Sequence, residues 1–136
     1  MTVVLDASVT LAWVHGDERT DAIIGLFETI ADGAAHVPSL WPLEVANSLM
    51  MAVRRGRTNE ELVERALVDL KSIRIEIDAD TADHAWGSTM RLAEAYRLTV
   101  YDAAYLELAQ RRRLPLATLD KALAAASQQA GVELAL

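Results

Sequence analysis

Four acids recur in one kind of place along the chain. Asp6 closes the apolar run "VVLD", and Glu44 falls in the first turn of a helix opened by Pro42. Asp102 follows Thr99 by three residues at the head of "TVYDAAYLELA", and Asp120 ends "LATLD". Each placement has an ordinary explanation on its own, because an acid in the first turn of a helix complements the helix dipole. As a set they suggest something else. Carboxylates gathered in one cleft repel one another and raise each other's pKa unless a cation neutralises them.

The donors on offer are hard oxygens. The chain has no cysteine, and His15, His36 and His84 lack metal-ligand spacing, which selects Mg2+ or Mn2+ over Zn2+. Ser8, Asn47 and Thr118 stand close enough in sequence to orient the carboxylates. The same residue types also serve ordinary caps and turns. A bound Mg2+ lowers the pKa of a coordinated water, so phosphoryl chemistry is the reaction class that such a cluster favours.

Apolar periodicity predicts the elements that hold these acids. "VVLD" from Val3 reads as a short buried strand, with "ASVTLAWV" as the helix behind it. A helix is expected over roughly Arg19 to Ala31, stopped by Asp32-Gly33. "AAHVPS" is a second strand, and Pro42 fits the first turn of a helix that runs to about Arg55 before Gly56. Thr58 with Glu61 has the form of a capping box opening a helix through about Ser72, after which "IRIEI" alternates as a half-exposed strand. Asp80 or Thr81 starts a helix to about Tyr96, and Thr99 starts the next. "LATL" after Pro115 is a strand, Lys121 to Ala130 is a helix stopped by Gly131, and "VELAL" is a last strand. This alternation predicts an α/β fold whose largely parallel sheet is covered on both faces. In such sheets the strand C-terminal ends and the helix starts that follow them line one edge, where ligands bind. The four acids are expected to meet there.

Composition bounds the setting. The 136 residues, 52% hydrophobic and 24% charged, predict a single soluble domain over residues 1–136. No apolar run approaches the roughly 18 to 20 residues of a membrane span, and the N-terminus opens directly into "TVVLD", so a cytoplasmic location is expected. A net charge of −7 argues against a general nucleic-acid coat, since phosphate affinity comes from Lys and Arg displacing counterions. Arg54, Arg55 and Arg57 form one basic knot and Arg111 to Arg113 another; each reads either as a helix C-terminus decorated with cations or as a nucleic-acid contact. Trp13, Trp41 and Trp86 read first as packing residues, with Trp41 close enough to Glu44 to line a cleft. "VANSLMMAV" is apolar over more than one helical face, which fits either a partner surface or a helix buried between neighbours.

Four segments, "VVLDASVTLAWV", "PSLWPLEVANSL", "LTVYDAAYLELA" and "LPLATLDKAL", resemble a PIN domain in their order and separations. Specifically they resemble the VapC-type toxin endoribonucleases of toxin-antitoxin pairs, over essentially the whole chain. The resemblance implies a PIN-like three-layer α/β fold with a central, largely parallel sheet flanked by helices. It also implies that Asp6, Glu44, Asp102 and Asp120 bind Mg2+ or Mn2+ and activate water to cut RNA. Asp6 and Asp102 would be the principal ligands, Glu44 would complete the coordination or hold a second ion, and Asp120 would act through water and local charge. Ser8, Asn47 and Thr118 match polar positions beside the acids. Where some relatives carry a further acid just before the third aspartate, this chain has Thr99 and Val100, so its cluster is minimal. The implied partners are an RNA substrate, a second copy in a homodimer and a cognate VapB-type antitoxin.

Three other readings compete. A haloacid-dehalogenase-like phosphatase needs a second aspartate two residues after the first, where Ser8 stands. A phosphoacceptor receiver domain needs an acidic pair after the first strand, and "VVLDAS" offers one acid. A catalytically silent PIN-like interaction protein is the remaining alternative, and metal-dependent RNA cleavage separates it from the enzyme.

Overall fold

The protein is described by a computed structural model covering residues 1–136. At its centre β1 (Val3–Leu5) is buried at every position. It pairs in parallel with β2 (Ala35–Val37) on one side and β4 (Leu116–Ala117) on the other. β3 (Ile75–Ile77) adds in parallel outside β2, giving the order β3-β2-β1-β4. A strand flanked on both edges and covered on both faces gains from apolar side chains at all positions, which is why "VVL" shows no alternation. β3, at the sheet edge, is only partly buried.

Eight helices complete the fold: α1 (Ala7–Val14), α2 (Asp21–Ile30), α3 (Trp41–Arg54), α4 (Glu60–Lys71), α5 (Thr81–His84), α6 (Met90–Tyr96), α7 (Val100–Arg112) and α8 (Lys121–Gln129). α7 is the central one. Every residue from Ala103 to Ala109 is buried, because helices and sheet enclose it on all sides and its alanines admit close neighbours. Leu106 and Leu108 of α7 join Ile23 and Ile30 of α2 and Leu123 of α8 around β1. Truncating one such leucine to alanine would cost roughly 2–5 kcal/mol. Gly33 is needed by contact, since a Cβ there would clash with the Met1 backbone carbonyl.

The largely parallel α/β sheet expected from the sequence is present, and four local expectations need correction. The cap of α4 is Asn59, whose Oδ1 accepts from the Leu62 amide at 3.0 Å, one residue beyond the Thr58 of the supposed capping box. α2 begins only after Thr20 caps it, because Arg19 stays extended to lay its guanidinium over the Trp13 ring, 4.0 Å from the centroid. The helix expected from about residue 80 to Tyr96 is broken by a π turn over Ala85–Thr89, where Gly87 leaves helical geometry. The last strand reduces to a single parallel bridge between Leu116 and Leu134, because β4 is too short to pair further.

The winding carries the functional consequence. The chain steps from β1 to β2 to β3 in one direction and then returns to place β4 on the other side of β1. The direction therefore reverses at the C-terminal end of β1, where such sheets open a crevice. Asp6 is the next residue.

Candidate active site

Asp6 occupies the N-cap position of α1 but does not spend its carboxylate on capping. It is 5% exposed, and its Oδ2 accepts from both the Ser8 hydroxyl and the Thr118 hydroxyl, each at 2.7 Å. Those hydroxyls are themselves oriented by backbone: the Leu119 amide donates to Ser8 Oγ at 3.0 Å and the Asp120 amide to Thr118 Oγ1 at 3.0 Å. The turn after β4 is thereby tied to the end of β1, and Asp6 is locked in one rotamer. Burial pushes its carboxyl above the usual aspartate range; the two hydroxyls oppose the rise and the charge of Asp120 adds to it.

The other acids arrive from three separate helix starts. Pro42 opens α3 and brings Glu44 into its first turn. Burial raises the Glu44 carboxyl, the Tyr105 hydroxyl opposes that rise, and the charges of Asp6 and Asp102 reinforce it. Thr99 caps α7 by accepting from the Asp102 amide at 3.1 Å, so the cap does not consume the Asp102 carboxylate. Burial raises the Asp102 carboxyl too, followed by the charges of Asp120 and Asp6, and the Thr99 hydroxyl opposes the rise. Asp120 does cap its helix, with Oδ1 accepting from the Leu123 amide at 2.8 Å. The four carboxylates thus lie close enough for Glu44 and Asp102 each to feel the charge of two others and Asp6 that of Asp120, although no three acidic or histidine side chains meet as a ready-made cation shell. None of the four forms a salt bridge with a lysine or arginine.

Residues 3–128 match the profile of the PIN domain. The chain belongs to the PIN domain family. It is 32% identical over 128 residues to Ribonuclease VapC3 of Pyrobaculum aerophilum, spanning 91% of this chain and 93% of that protein. The crystal structure of PAE2754 from Pyrobaculum aerophilum matches with a TM-score of 0.67 at 24% identity, covering 93% of this chain and 84% of that one, a likeness of fold. The VapC-type PIN resemblance and the PIN-like α/β architecture expected from the four motifs both hold.

Not every candidate residue joins this PIN site. Asn47 is exposed and takes no part in the hydrogen bonds around Asp6. Trp41 is buried and donates through Nε1 to Thr10 Oγ1 at 3.2 Å, a packing role that ties α3 to α1. The basic knots lie at the far ends of the helices whose first turns carry the acids. Ten residues separate Glu44 from Arg54 and nine separate Asp102 from Arg111, about 15 Å and 13 Å of helix respectively. Arg57 is paired with Asp17 and Glu18, and Arg111 with Asp78 and Glu107.

Sequence reasoning missed one residue at the site. The Tyr105 hydroxyl donates to Glu44 Oε1 at 2.6 Å. Burial and then Glu44 push that hydroxyl far above the usual phenol range, so it keeps its proton and donates it to Glu44. The available signal was the three-residue spacing from Asp102, which puts both side chains on one helix face. The apolar run "AAYLELA" hid it by reading as core.

Proposed function

We propose that this PIN domain is a Mg2+- or Mn2+-dependent endoribonuclease, the toxin of a toxin-antitoxin pair, acting through Asp6, Glu44, Asp102 and Asp120. One observation supports the reading: carboxylates from four helix starts around the C-terminal end of β1 lie near enough for their charges to raise the pKa of Asp6, Glu44 and Asp102, and no salt bridge neutralises them. Their donor set is entirely oxygen, which fits a hard divalent ion. Like charges hold apart the groups that such an ion would draw together.

Asp6 would offer Oδ1, since Ser8 and Thr118 both bind Oδ2. Glu44 would offer Oε2, and Asp102 would add a carboxylate oxygen. Asp120, with Oδ1 committed to the α8 cap, would act mainly through its charge and an intervening water. When bound, the ion neutralises the cluster and lowers the pKa of a bound water for attack on a phosphodiester. Ser8 and Thr118 keep Asp6 from rotating as charge builds up in the site. Lys121, beside Asp120, and Arg97, just before the Thr99 cap, form no salt bridge and stand at the helix ends nearest the acids, where they suit RNA phosphates.

The partners follow from the VapC-type likeness. An apolar groove of about 860 Å³ between α3 and α4, lined by Leu49, Met50, Val53, Val63 and Leu67, supports a cognate VapB-type antitoxin as its occupant. Trp86, 92% exposed, with Met90 and Tyr101 also exposed, supports a second copy as the homodimer partner. No helix is long and apolar enough to cross a membrane, and a cytoplasmic site of action accords with an RNA substrate.

The deciding experiment is incubation of the purified protein with total RNA in Mg2+ or Mn2+, with EDTA and Asp102→Asn controls and sequencing of the ends. Discrete cuts that vanish in both controls are expected. A protein that binds Mn2+ and cuts nothing, with its antitoxin absent, would instead be the silent interaction protein.

A further inference from the structure

Glu44 lacks local support. α3 begins at Leu40 with no side-chain cap, and the first turn that carries Glu44 has no neighbour holding its carboxylate from within the helix. The one side chain that does so comes from 61 positions away, the Tyr105 hydroxyl on Oε1. Tyr105 is fully buried, so its ring is fixed by the core and its hydroxyl has one direction to donate. A hydroxyl bound to a carboxylate in such surroundings makes a short, charge-assisted bond. This bond is also the only side-chain hydrogen bond between α3 and α7, the helices that carry Glu44 and Asp102.

The repulsion described above gives that bond its purpose. Glu44 is half-buried and feels the charges of Asp6 and Asp102. An unrestrained glutamate with three rotatable bonds relieves such repulsion by swinging into water, and a cation would then have to draw it back at a cost in side-chain entropy. We infer that Tyr105 is the positioning residue for Glu44: its hydroxyl holds one rotamer of that carboxylate beside Asp6 and Asp102 and thereby sets the cation affinity of the cluster. The affinity half of this inference rests on the proposed function; the positioning half does not.

Tyr105→Phe tests it, because the ring still fills the core and only the donor is lost. In the metal-free full chain, NMR side-chain couplings of Glu44 should change from one rotamer to an average, with the melting temperature shifted by no more than a few degrees. Titration with Mn2+ followed by electron paramagnetic resonance should show affinity falling about tenfold, the size of loss typical when a ligand's orienting partner is removed. RNA cleavage should lose kcat with little change in KM. In a Glu44→Ala background, where the residue being positioned is gone, adding Tyr105→Phe should change Mn2+ affinity no further. A single Glu44 rotamer persisting in Tyr105→Phe overturns the inference, as does a full Mn2+ loss repeated in the Glu44→Ala background. Should the wild-type chain bind no Mn2+, the affinity half falls together with the proposed function, while the Glu44 couplings still uphold or overturn the positioning half.

Discussion

Two groups of buried acids in this molecule have opposite fates. Asp6 is 5% exposed, and Asp78 and Glu107 are 6% and 5% exposed. Burial pushes both Asp6 and Asp78 upward, yet only Asp6 ends above its ordinary range. At Asp78 the Arg111 guanidinium, with help from Thr81, outweighs burial and holds the carboxyl below that range. Arg111 reaches Asp78 through both terminal nitrogens, one of them at 3.1 Å from Oδ1, and bonds Glu107 through Nε at 2.8 Å and 3.0 Å. A carboxylate kept for architecture is thus given its counter-charge by the chain. The cluster around Asp6 is not, and helix α7 contributes to both, Asp102 from its first turn and Arg111 from its last.

The contrast breaks most decisively at Asp102. Asp102→Asn preserves shape and the Thr99 cap but removes one charge, and cleavage should fall on the order of a thousandfold, about 4 kcal/mol of lost transition-state stabilisation. Metal-free stability, read from a urea midpoint, should hold or rise, because a repulsion has gone. Unchanged cleavage would end the assignment of Asp102 to the site. At the paired group the same kind of change should do the reverse. Arg111→Met takes the guanidinium from two buried carboxylates and should cost about 3–5 kcal/mol in stability. Mn2+ affinity of the fraction that stays folded should be retained.

Acid titration of the metal-free protein sharpens the comparison. For Asp6, Glu44 and Asp102 the folded pKa lies above the unfolded one, so lowering the pH through that window protonates the folded state first and stability should rise. For Asp78 the folded pKa lies below the unfolded one. Its contribution is complete above the unfolded value near 3.8 and should be lost as pH falls through the folded one. Each proton contributes a slope of up to about 1.4 kcal/mol per pH unit. Urea midpoints measured across pH should pass through a maximum on the acid side of neutrality, and Arg111→Met should lose the steep fall below it.

Two smaller changes separate orientation from architecture. Thr118→Val removes one of the donors on Asp6 and should weaken Mn2+ binding about tenfold by direct titration. Asn59→Ala, at the start of α4 and away from the acids, should cost about 1 kcal/mol in thermal stability and leave Mn2+ binding alone.

What was legible in the chain was what neighbours along it decide. The uniform apolar run of β1, Pro42 at the start of α3, Thr99 at the cap of α7 and Gly56 past the end of α3, with φ of +74°, all follow from interactions within a few residues. Where two local signals competed, the reading slipped by a residue, as at Thr58 and Asn59, because either short polar side chain suits a cap and backbone geometry chooses between them. The break at Gly87 escaped notice because an isolated glycine is tolerated inside a helical pattern.

By itself the sequence determined the strand and helix alternation, the four acids at helix starts and the motifs that place the chain in the PIN family. Only the tertiary structure decided how each acid is treated. The bonds responsible join residues far apart in the chain: Thr118 with Asp6 across 112 positions, Tyr105 with Glu44 across 61, and Arg111 with Asp78 across 33. Whether a carboxylate is neutralised, oriented or left bare depends on the dielectric and the donors around it, and these exist only once the sheet has wound back to place β4 beside β1.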